Sequence, residues 1–354
     1  MATYAKTSFN AARYAAARPT YPRQLYDLLF RYHERGPGAR WDTALDLGCG
    51  TGQATLELVP FKNIIGADPS ATMIAQATKK FAAQGADVQL GLADRVRYVQ
   101  SPAEELGWLE DGSVDMIVSG EHRTPISRHS SNYTFVEPTT MPTYLWKSLP
   151  LTSSHQIAQA AHWFDWTRLW PEAARVLRKG GSLAVWGYSE FRLTDHPSCT
   201  PLIHTYVHGS DARTTIGPYW EQPGRNILDD HLRPIPEPSA VCGPGVWAES
   251  ERVYFAGSHH PHLPNPRQVI MRKKTTWGGM LGYLRTFSAL HTFLERYPED
   301  KEHPEGDVAV RFWKALRTQV ARDKGIDDAS AGSEDDEVEI EWPLAIVMAR
   351  RAAV

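Results

Sequence analysis

Residues 43–58 read TALDLGCGTGQATLEL, and this stretch decides the fold that we expect. An apolar strand, residues 44–47, leads into glycines at positions 48, 50 and 52, and a helical run is predicted to follow through Leu56 and Leu58. Glycines in such a turn let the backbone approach a ligand closely, and a helix N-terminus offers N–H groups that no helical carbonyl uses. The stretch therefore predicts a strand, a nucleotide-binding turn and a helix, in that order.

A second apolar strand is predicted at residues 63–68, NIIGAD, and it ends in Asp68. A carboxylate at that position can accept hydrogen bonds from both hydroxyls of a ribose. The dinucleotide-binding fingerprint has its third glycine three residues after the second, which is not the spacing here, and no Lys-Ser or Lys-Thr pair follows to hold a phosphate. The unit is therefore predicted to be βαβ, and neither the dinucleotide nor the phosphate-loop interpretation fits it.

The sequence LDLGCGTG, followed by an acidic strand end, resembles the first two motifs of the class I S-adenosylmethionine-dependent methyltransferases. This resemblance implies an α/β fold, a doubly wound and mostly parallel seven-stranded sheet of the Rossmann-like kind with a helical lid. It also implies S-adenosyl-L-methionine as the cofactor. The contacts that it assigns to the cofactor are Asp46, Gly48, Gly50, Gly52, Asp68, Ala103, Glu104 and Gln159. The alternative is a glycine-rich turn that binds no ligand.

Composition restricts the class of protein. The chain has 354 residues, a net charge of -3, 42% hydrophobic residues and 22% charged residues, so we expect one large globular domain or two smaller ones, without nucleic acid as a partner. Neither a signal peptide nor a membrane span is visible, so a cytoplasmic location is expected. The chain is also expected to be a monomer. The three cysteines are odd in number and far apart, which argues against a disulfide framework and a cysteine metal site.

The order of predicted elements suggests four segments. Residues 1–40 form an N-terminal lid, 41–192 the cofactor-binding core, 193–300 a substrate cap with a late strand and helix, and 301–354 a C-terminal helix and the final strand. Further strands are predicted at VRYVQ, SVDMIVS and ERVYF, in a fifth strand after the glycine pair 180–181 that closes a helix, and in IEWPLAIVMARR. Residues 277–298 show the apolar spacing of one amphipathic helix.

Three flanking motifs, SFNAARYAAARPTYP, QAAHWFDW and LGYLRTFSALHTF, resemble the trans-aconitate methyltransferase group, whose members methylate a carboxylate of a small acid. The resemblance implies a small anionic acceptor. A carboxylate is already ionised at neutral pH, so no general base is needed, and catalysis rests on positioning and the exclusion of water. Other acceptors, such as a lipid or natural-product hydroxyl or amine, remain alternatives, as does a cofactor-binding protein without turnover.

Five residues are the candidates for positioning the acceptor. Tyr14 and Arg18 are expected to hold the acid from the N-terminal lid, because a planar guanidinium binds carboxylates at two points. Arg285 is a weaker candidate for a second carboxylate, and His162 and Trp163 are expected to line the pocket beside the cofactor. The alternatives are surface ion pairs for the arginines and ordinary core packing for the histidine and tryptophan.

Residues 120–158 interrupt the expected core. After the fourth strand the chain becomes polar and aperiodic, and its removal restores IVSAQAAHWFDW, the pattern of the resembling group. Codons for residues 120–122 can contain the donor-like string GTGAGC, and codons for residues 157–158 an acceptor-like TAG. The hypothesis is therefore that this stretch is a retained intron. The competing interpretation is a genuine insertion that gates the pocket, with His122 and His129 on a metal.

Overall fold

The computed structural model describes residues 18–83, 91–120, 163–326 and 333–353. Its α-helices are α1 Arg23–Glu34, α2 Ala71–Ala82, α3 Trp166–Val176, α4 Thr200–His208, α5 Gly224–Asp229, α6 Pro238–Cys242, α7 Trp277–Leu284, α8 Ser288–Arg296 and α9 Val308–Asp323. Its strands are β1 Thr43–Leu47, β2 Asn63–Asp68, β3 Val96–Gln100, β4 Val114–Gly120, β5 Leu177–Tyr188, β6 Arg192–Leu193, β7 Trp247–Phe255, β8 Met271–Thr276, β9 Glu337–Trp342 and β10 Leu344–Arg351. Among the described helices, none is both long and apolar enough to cross a membrane.

Seven strands form the main sheet, in the order β3-β2-β1-β4-β5-β10-β7. Strands β1 to β5 are mutually parallel, whereas β10 is antiparallel to both of its neighbours, β5 and β7. This arrangement confirms the predicted mostly parallel α/β fold. Because β1 to β5 run in the same direction, their C-terminal ends meet along one side of the sheet, which we call the carboxyl edge.

Two apolar cores cover the two faces of the main sheet. Alternate residues of β5 contribute to each: Ala184 and Trp186 belong to the core that includes α1, whereas Leu183 and Val185 belong to the core that includes α3. This alternation is the period of two that a strand imposes on its side chains. A strand covered on both faces must be apolar throughout, which explains the run SLAVWGY.

Helix α1 is fixed to the sheet by a buried histidine. The Nε2–H group of His33 donates to the carbonyl of Arg40 at 2.8 Å, so its Nδ1 accepts from the Ser182 hydroxyl at 2.6 Å. Burial lowers the pKa of His33 from its ordinary value of 6.5. The folded protein therefore favours the neutral imidazole.

The predicted helix after the glycine turn is wrong. Residues 51–54 form turns, and only Thr55–Glu57 is helical, as a single turn of 3-10 helix. Pro60 explains the difference, because it has no N–H group to donate and it disfavours the helical conformation of the residue before it. Too few residues remain between the turn and Pro60 for an α-helix. The buried side chains of Leu58 and Phe61 instead join the core on the α1 side.

Three further elements have different boundaries from those predicted. The helix before β5 ends at Val176, and the glycine pair 180–181 lies inside β5, where a Cβ at Gly181 would lie 2.9 Å from the carbonyl of Asp115. The predicted amphipathic helix is two helices, α7 and α8, separated at residues 285–287. The strand predicted from IEWPLAIVMARR is divided by Pro343 into β9 and β10.

Strand β9 belongs to a second, antiparallel sheet, in the order β6-β9-β8. Residues of the predicted cap and of the predicted C-terminal segment therefore pair in this sheet. The division into four segments stays a prediction.

The proposed intron lies almost wholly outside the described residues, which include only Gly120 of it. Gly120 ends β4 and pairs with Trp186 of β5. A Cβ at position 120 would lie 2.5 Å from Cζ2 of Trp186, whose side chain is fully buried. Splicing as hypothesised would place alanine at position 120, so the indole of Trp186 would have to move in the shortened chain.

Candidate cofactor and acceptor sites

The glycine turn follows β1 at the carboxyl edge. Gly48, Gly50 and Gly52 have φ angles of +64°, +53° and +81°, in the left-handed region that residues with a Cβ rarely adopt. At Gly52 a Cβ would also lie 2.7 Å from Cζ of Tyr98, on strand β3. The alternation of glycines in the sequence is therefore required by the backbone of this turn.

Asp68, at the end of β2, holds the turn in place. Its two carboxylate oxygens accept hydrogen bonds from the N–H of Gly50 at 2.9 Å and from the N–H of Ser70 at 2.8 Å. The side chain is buried. An ionised carboxylate offers about four acceptor positions, so these two bonds are compatible with a ribose diol as a further partner. The sequence predicted only the ligand contact and missed the structural one.

Asp46 is also structural in this conformation. It has no exposed surface, and its Oδ2 accepts a hydrogen bond from the Thr55 hydroxyl at 2.6 Å. This bond ties the end of the glycine turn to β1. A direct contact between Asp46 and the cofactor stays a prediction.

Cys49 lies between the glycines but is not a reactive thiol. It is buried, and its pKa is raised well above the ordinary value, first by burial and then by the nearby charges of Asp46 and Asp68. The thiolate is the nucleophilic form of cysteine, and these surroundings disfavour it. Cys49 therefore packs in the turn and supplies its N–H to the carbonyl of Ala67 at 2.9 Å.

Ala103 and Glu104 follow β3, on the same carboxyl edge. Ala103 is buried in the core on the α3 side, and Oε1 of Glu104 accepts a hydrogen bond from the N–H of Asp165 at 2.9 Å. Asp165 in turn caps α3 by accepting from the N–H of Thr167 at 3.0 Å. Glu104 thus fixes the start of α3, and its contact with adenine remains a prediction.

A pocket beside the end of β5 brings two predicted residues together. The aromatic pocket, as we call it, is lined by Arg18, Trp163, Tyr188, Glu190, Trp220 and Phe287, among others. Because Tyr188 ends β5 and Gly120 ends the neighbouring parallel strand, the aromatic pocket lies on the carboxyl edge, as the glycine turn does. An acceptor pocket has to lie on this side if the cofactor binds at the turn.

Arg18 is a buried cation that lines the aromatic pocket and is only 5% exposed. Its Nη1 donates to the Tyr188 hydroxyl at 3.2 Å, and its Nη2 donates to the carbonyl of Thr286 at 3.2 Å. The guanidinium carbon also lies 5.0 Å from the ring centre of Tyr283 and 5.1 Å from that of Phe287. The break between α7 and α8, which the sequence did not predict, is what places the Thr286 carbonyl against Arg18.

The structure places Arg285 outside this pocket and does not describe several of the other predicted residues. Tyr14, Gln159 and His162 lie outside the described residues, as do His122 and His129. Arg285 does not line the aromatic pocket, and its Nη2 lies 3.8 Å from Oδ2 of Asp307 in an ion pair. Arg285 therefore lies outside the candidate acceptor site.

Sequence reasoning missed Glu190, Arg225 and Trp220 in the aromatic pocket. Arg225 lies over the Trp220 ring at 4.3 Å, and its Nε donates to Oδ2 of Asp229 at 2.8 Å. Trp220 and Arg225 come from the Pro- and His-rich tract, residues 193–248, in which no apolar period marks an element. Within that tract, the cluster of charged and aromatic residues was the only sequence feature that could have indicated a binding pocket.

Comparisons with known proteins agree with this geometry. Residues 44–134 match a family model described as a methyltransferase domain. A Saccharomyces cerevisiae protein named as a probable S-adenosylmethionine-dependent methyltransferase is 27% identical over 227 residues, which are 64% of this chain and 60% of that protein. A Dictyostelium discoideum protein named as a candidate methyltransferase is 29% identical over 218 residues, 61% of this chain and 60% of its own length. The chain thus spans 60% of the length of these two curated relatives.

A solved structure supports the fold. It is described as a candidate type II methyltransferase from Anaeromyxobacter dehalogenans, with a TM-score of 0.57 and 24% identity, and the match covers 94% of this chain and 97% of that one. The strand order, the glycine turn and these similarities agree. Residues 44–134 therefore form a domain that is similar to those of S-adenosylmethionine-dependent methyltransferases.

Proposed function

We propose that this chain transfers a methyl group from S-adenosyl-L-methionine to a carboxylate of a small, trans-aconitate-like polycarboxylic acid. The observation that carries the proposal is the buried guanidinium of Arg18 in the aromatic pocket. A positive charge away from water attracts an anion more strongly than one in bulk solvent. An acceptor that is already ionised also suits a pocket whose residues need only bind and orient it.

The glycine turn fits the cofactor by the chemistry of its groups. Asp68 offers a carboxylate for the ribose hydroxyls, and Gly48, Gly50 and Gly52 leave the backbone without side chains on that approach. When bound, the cofactor supplies an electrophilic methyl group on a positively charged sulfur. The cofactor-binding residues of this proposal are those predicted from the sequence.

The pocket residues have separate tasks in the reaction. Arg18 would hold the acceptor carboxylate, while Trp163, Tyr188 and Phe287 exclude water from its surroundings. Removal of water favours the transfer because the negative charge of the acceptor and the positive charge of the sulfonium cancel in the transition state. No proton has to be moved, so none of these residues needs to act as a base.

A second candidate is an amine acceptor. Glu190 and Glu221 line the same aromatic pocket, and carboxylates beside aromatic rings favour a cationic or amine group. This candidate predicts that Arg18 contributes little to acceptor binding.

Arg18→Lys tests the proposal against this alternative. Lysine keeps the charge but cannot form the two-point contact, and a lost charge-assisted hydrogen bond of about 1.5–3 kcal/mol raises the KM for a tricarboxylate about 10- to 150-fold. The control is Arg35→Lys, because Arg35 pairs with Glu251 on the exposed surface at 3.4 Å. An unchanged KM in Arg18→Lys, with methyl transfer to amines, would establish the second candidate instead.

A further inference from the structure

A cluster of ligand-type side chains lies next to the aromatic pocket. His204 and His208 are one turn apart on α4, and both face Glu190, which follows β5. Oε2 of Glu190 lies 2.9 Å from Nε2 of His208 and 3.6 Å from Nδ1 of His204. Residues four apart on a helix share one face, so the helix brings both imidazoles to the same carboxylate.

An ordinary hydrogen bond does not account for this geometry. Oε2 of Glu190 is buried, and two imidazole nitrogens lie close to it. Within the described parts of the chain, neither they nor any other group forms a hydrogen bond to this oxygen with an acceptable angle. A buried carboxylate oxygen without a partner costs about 1–3 kcal/mol or more. A cation between the three side chains would satisfy all three donor atoms, which lie within 4.8 Å of one another.

Asp229 supports the same interpretation through the other nitrogen of His208. Nδ1 of His208 lies 3.4 Å from Oδ2 of Asp229, which also accepts a hydrogen bond from Nε of Arg225 at 2.8 Å. A proton on Nδ1, shared with Asp229, leaves the lone pair of Nε2 directed toward Glu190. Carboxylates hold metal-binding histidines in this tautomer in many proteins.

We propose that Glu190, His204 and His208 form a binding site for a divalent transition metal of the zinc type. Metal–ligand distances of about 2.0–2.1 Å in a tetrahedral site place neighbouring ligand atoms about 3.3 Å apart. The observed separations of 2.9 and 3.6 Å lie on either side of that value. Two histidines and one carboxylate leave a coordination position open, and the His204 side chain is 68% exposed, so this side of the site faces solvent.

Other charged groups near the cluster have their own partners. Nη2 of Arg192 contacts Nε2 of His260 at 3.0 Å, and His259 pairs with Glu341 at 3.2 Å. Glu190 also lines the aromatic pocket, so an ion bound to it would cancel a negative charge that an anionic acceptor meets there. That consequence rests on the proposed function, whereas the metal site itself does not.

Zinc titration of the full chain tests the site. The protein is first treated with a chelator, and neither cofactor nor acceptor is added. The wild type is expected to bind one more zinc ion per chain than His208→Ala or His204→Ala, as measured by calorimetry and by metal analysis after desalting. His259→Ala is the matched control, because His259 lies in the same depression but outside the cluster, and it is expected to behave as the wild type. Asp229→Asn is expected to weaken zinc binding about 10- to 100-fold.

Because the His204 side chain is exposed, His204→Ala is expected to fold, and a loss of zinc binding then reports the site itself. Circular dichroism checks the fold of both histidine variants. Equal zinc stoichiometry and affinity in the wild type and in His204→Ala and His208→Ala would overturn the site. Absence of zinc binding by the wild type would overturn it as well. Neither result depends on methyl transfer, so the metal site can fail while the proposed function stands.

Discussion

Replacement of Asp68 by alanine separates the two roles that this residue has. In the folded protein the carboxylate accepts hydrogen bonds from the N–H groups of Gly50 and Ser70, so alanine leaves both without this acceptor. Ser70 is buried, and an unsatisfied buried N–H group costs about 1–3 kcal/mol. The free energy of unfolding of Asp68→Ala is therefore expected to fall by at least that amount.

Cofactor binding by the folded variant is expected to weaken further. Each charge-assisted hydrogen bond to a ribose hydroxyl contributes about 1.5–3 kcal/mol, so the loss of one bond raises the Kd about 10- to 150-fold, and the loss of two raises it more. Isothermal titration calorimetry with S-adenosylhomocysteine measures this Kd without turnover, and circular dichroism shows whether the variant is folded.

Asp42→Ala is the control for this experiment. Asp42 precedes β1, at the opposite end from the glycine turn, and its half-exposed carboxylate pairs with Nζ of Lys62 at 2.7 Å. A surface ion pair of this kind contributes about 0–1 kcal/mol, so stability should change little and the Kd should not change. A folded Asp68→Ala protein that binds S-adenosylhomocysteine with the affinity of the wild type would refute the ribose assignment.

Three other predictions concern the turn, the core and the interrupted strand. Gly52→Ala should abolish cofactor binding, measured by calorimetry, because its Cβ would meet Tyr98. Gly38→Ala, with φ +69° and nothing within 4 Å of its Cβ, should cost only about 1–2 kcal/mol of stability and leave cofactor binding unchanged. Equal cofactor affinity in the two variants would contradict this. Because burial lowers the pKa of His33, its contribution to the free energy of unfolding is fully present above pH 6.5 and is lost as the pH falls below that value. Denaturant titrations should show a fall of up to about 1.4 kcal/mol per pH unit, and His33→Gln should remove this pH dependence. For residues 120–158, sequencing of the mature transcript should show their removal; retention in every read, with activity lost on deletion, would make them a genuine insertion.

The sequence predicted the elements whose signal is local. The strand before the glycine turn, the strand NIIGAD and the strand SVDMIVS all carry apolar runs, and the structure has them at residues 43–47, 63–68 and 114–120. Turn glycines were predicted for the same reason, since their positive φ angles leave few other residue types possible. What failed were helix lengths, because Pro60 and the contacts of Thr286 override the local pattern.

The site was predictable in part. Arg18 and Trp163 were found through a family resemblance, and the structure places both in the aromatic pocket. The partners of Asp68 and the position of Glu190 depend on contacts between distant parts of the chain, which no local pattern contains. His204 and His208 did carry a local signal, two histidines four residues apart in TPLIHTYVH, but the spacing predicts a site only once Glu190 is known to face it.

Methyl transfer from labelled S-adenosyl-L-methionine tests the central claim most directly. The wild-type protein is incubated with a panel of small tricarboxylates, their amide derivatives and matched amines, and the labelled product is identified. The expected result is label in a methyl ester of a tricarboxylate, which is released by mild base, and no label in the amide derivatives. Label only in an amine or a hydroxyl, or binding of the cofactor without transfer to any compound, would contradict it.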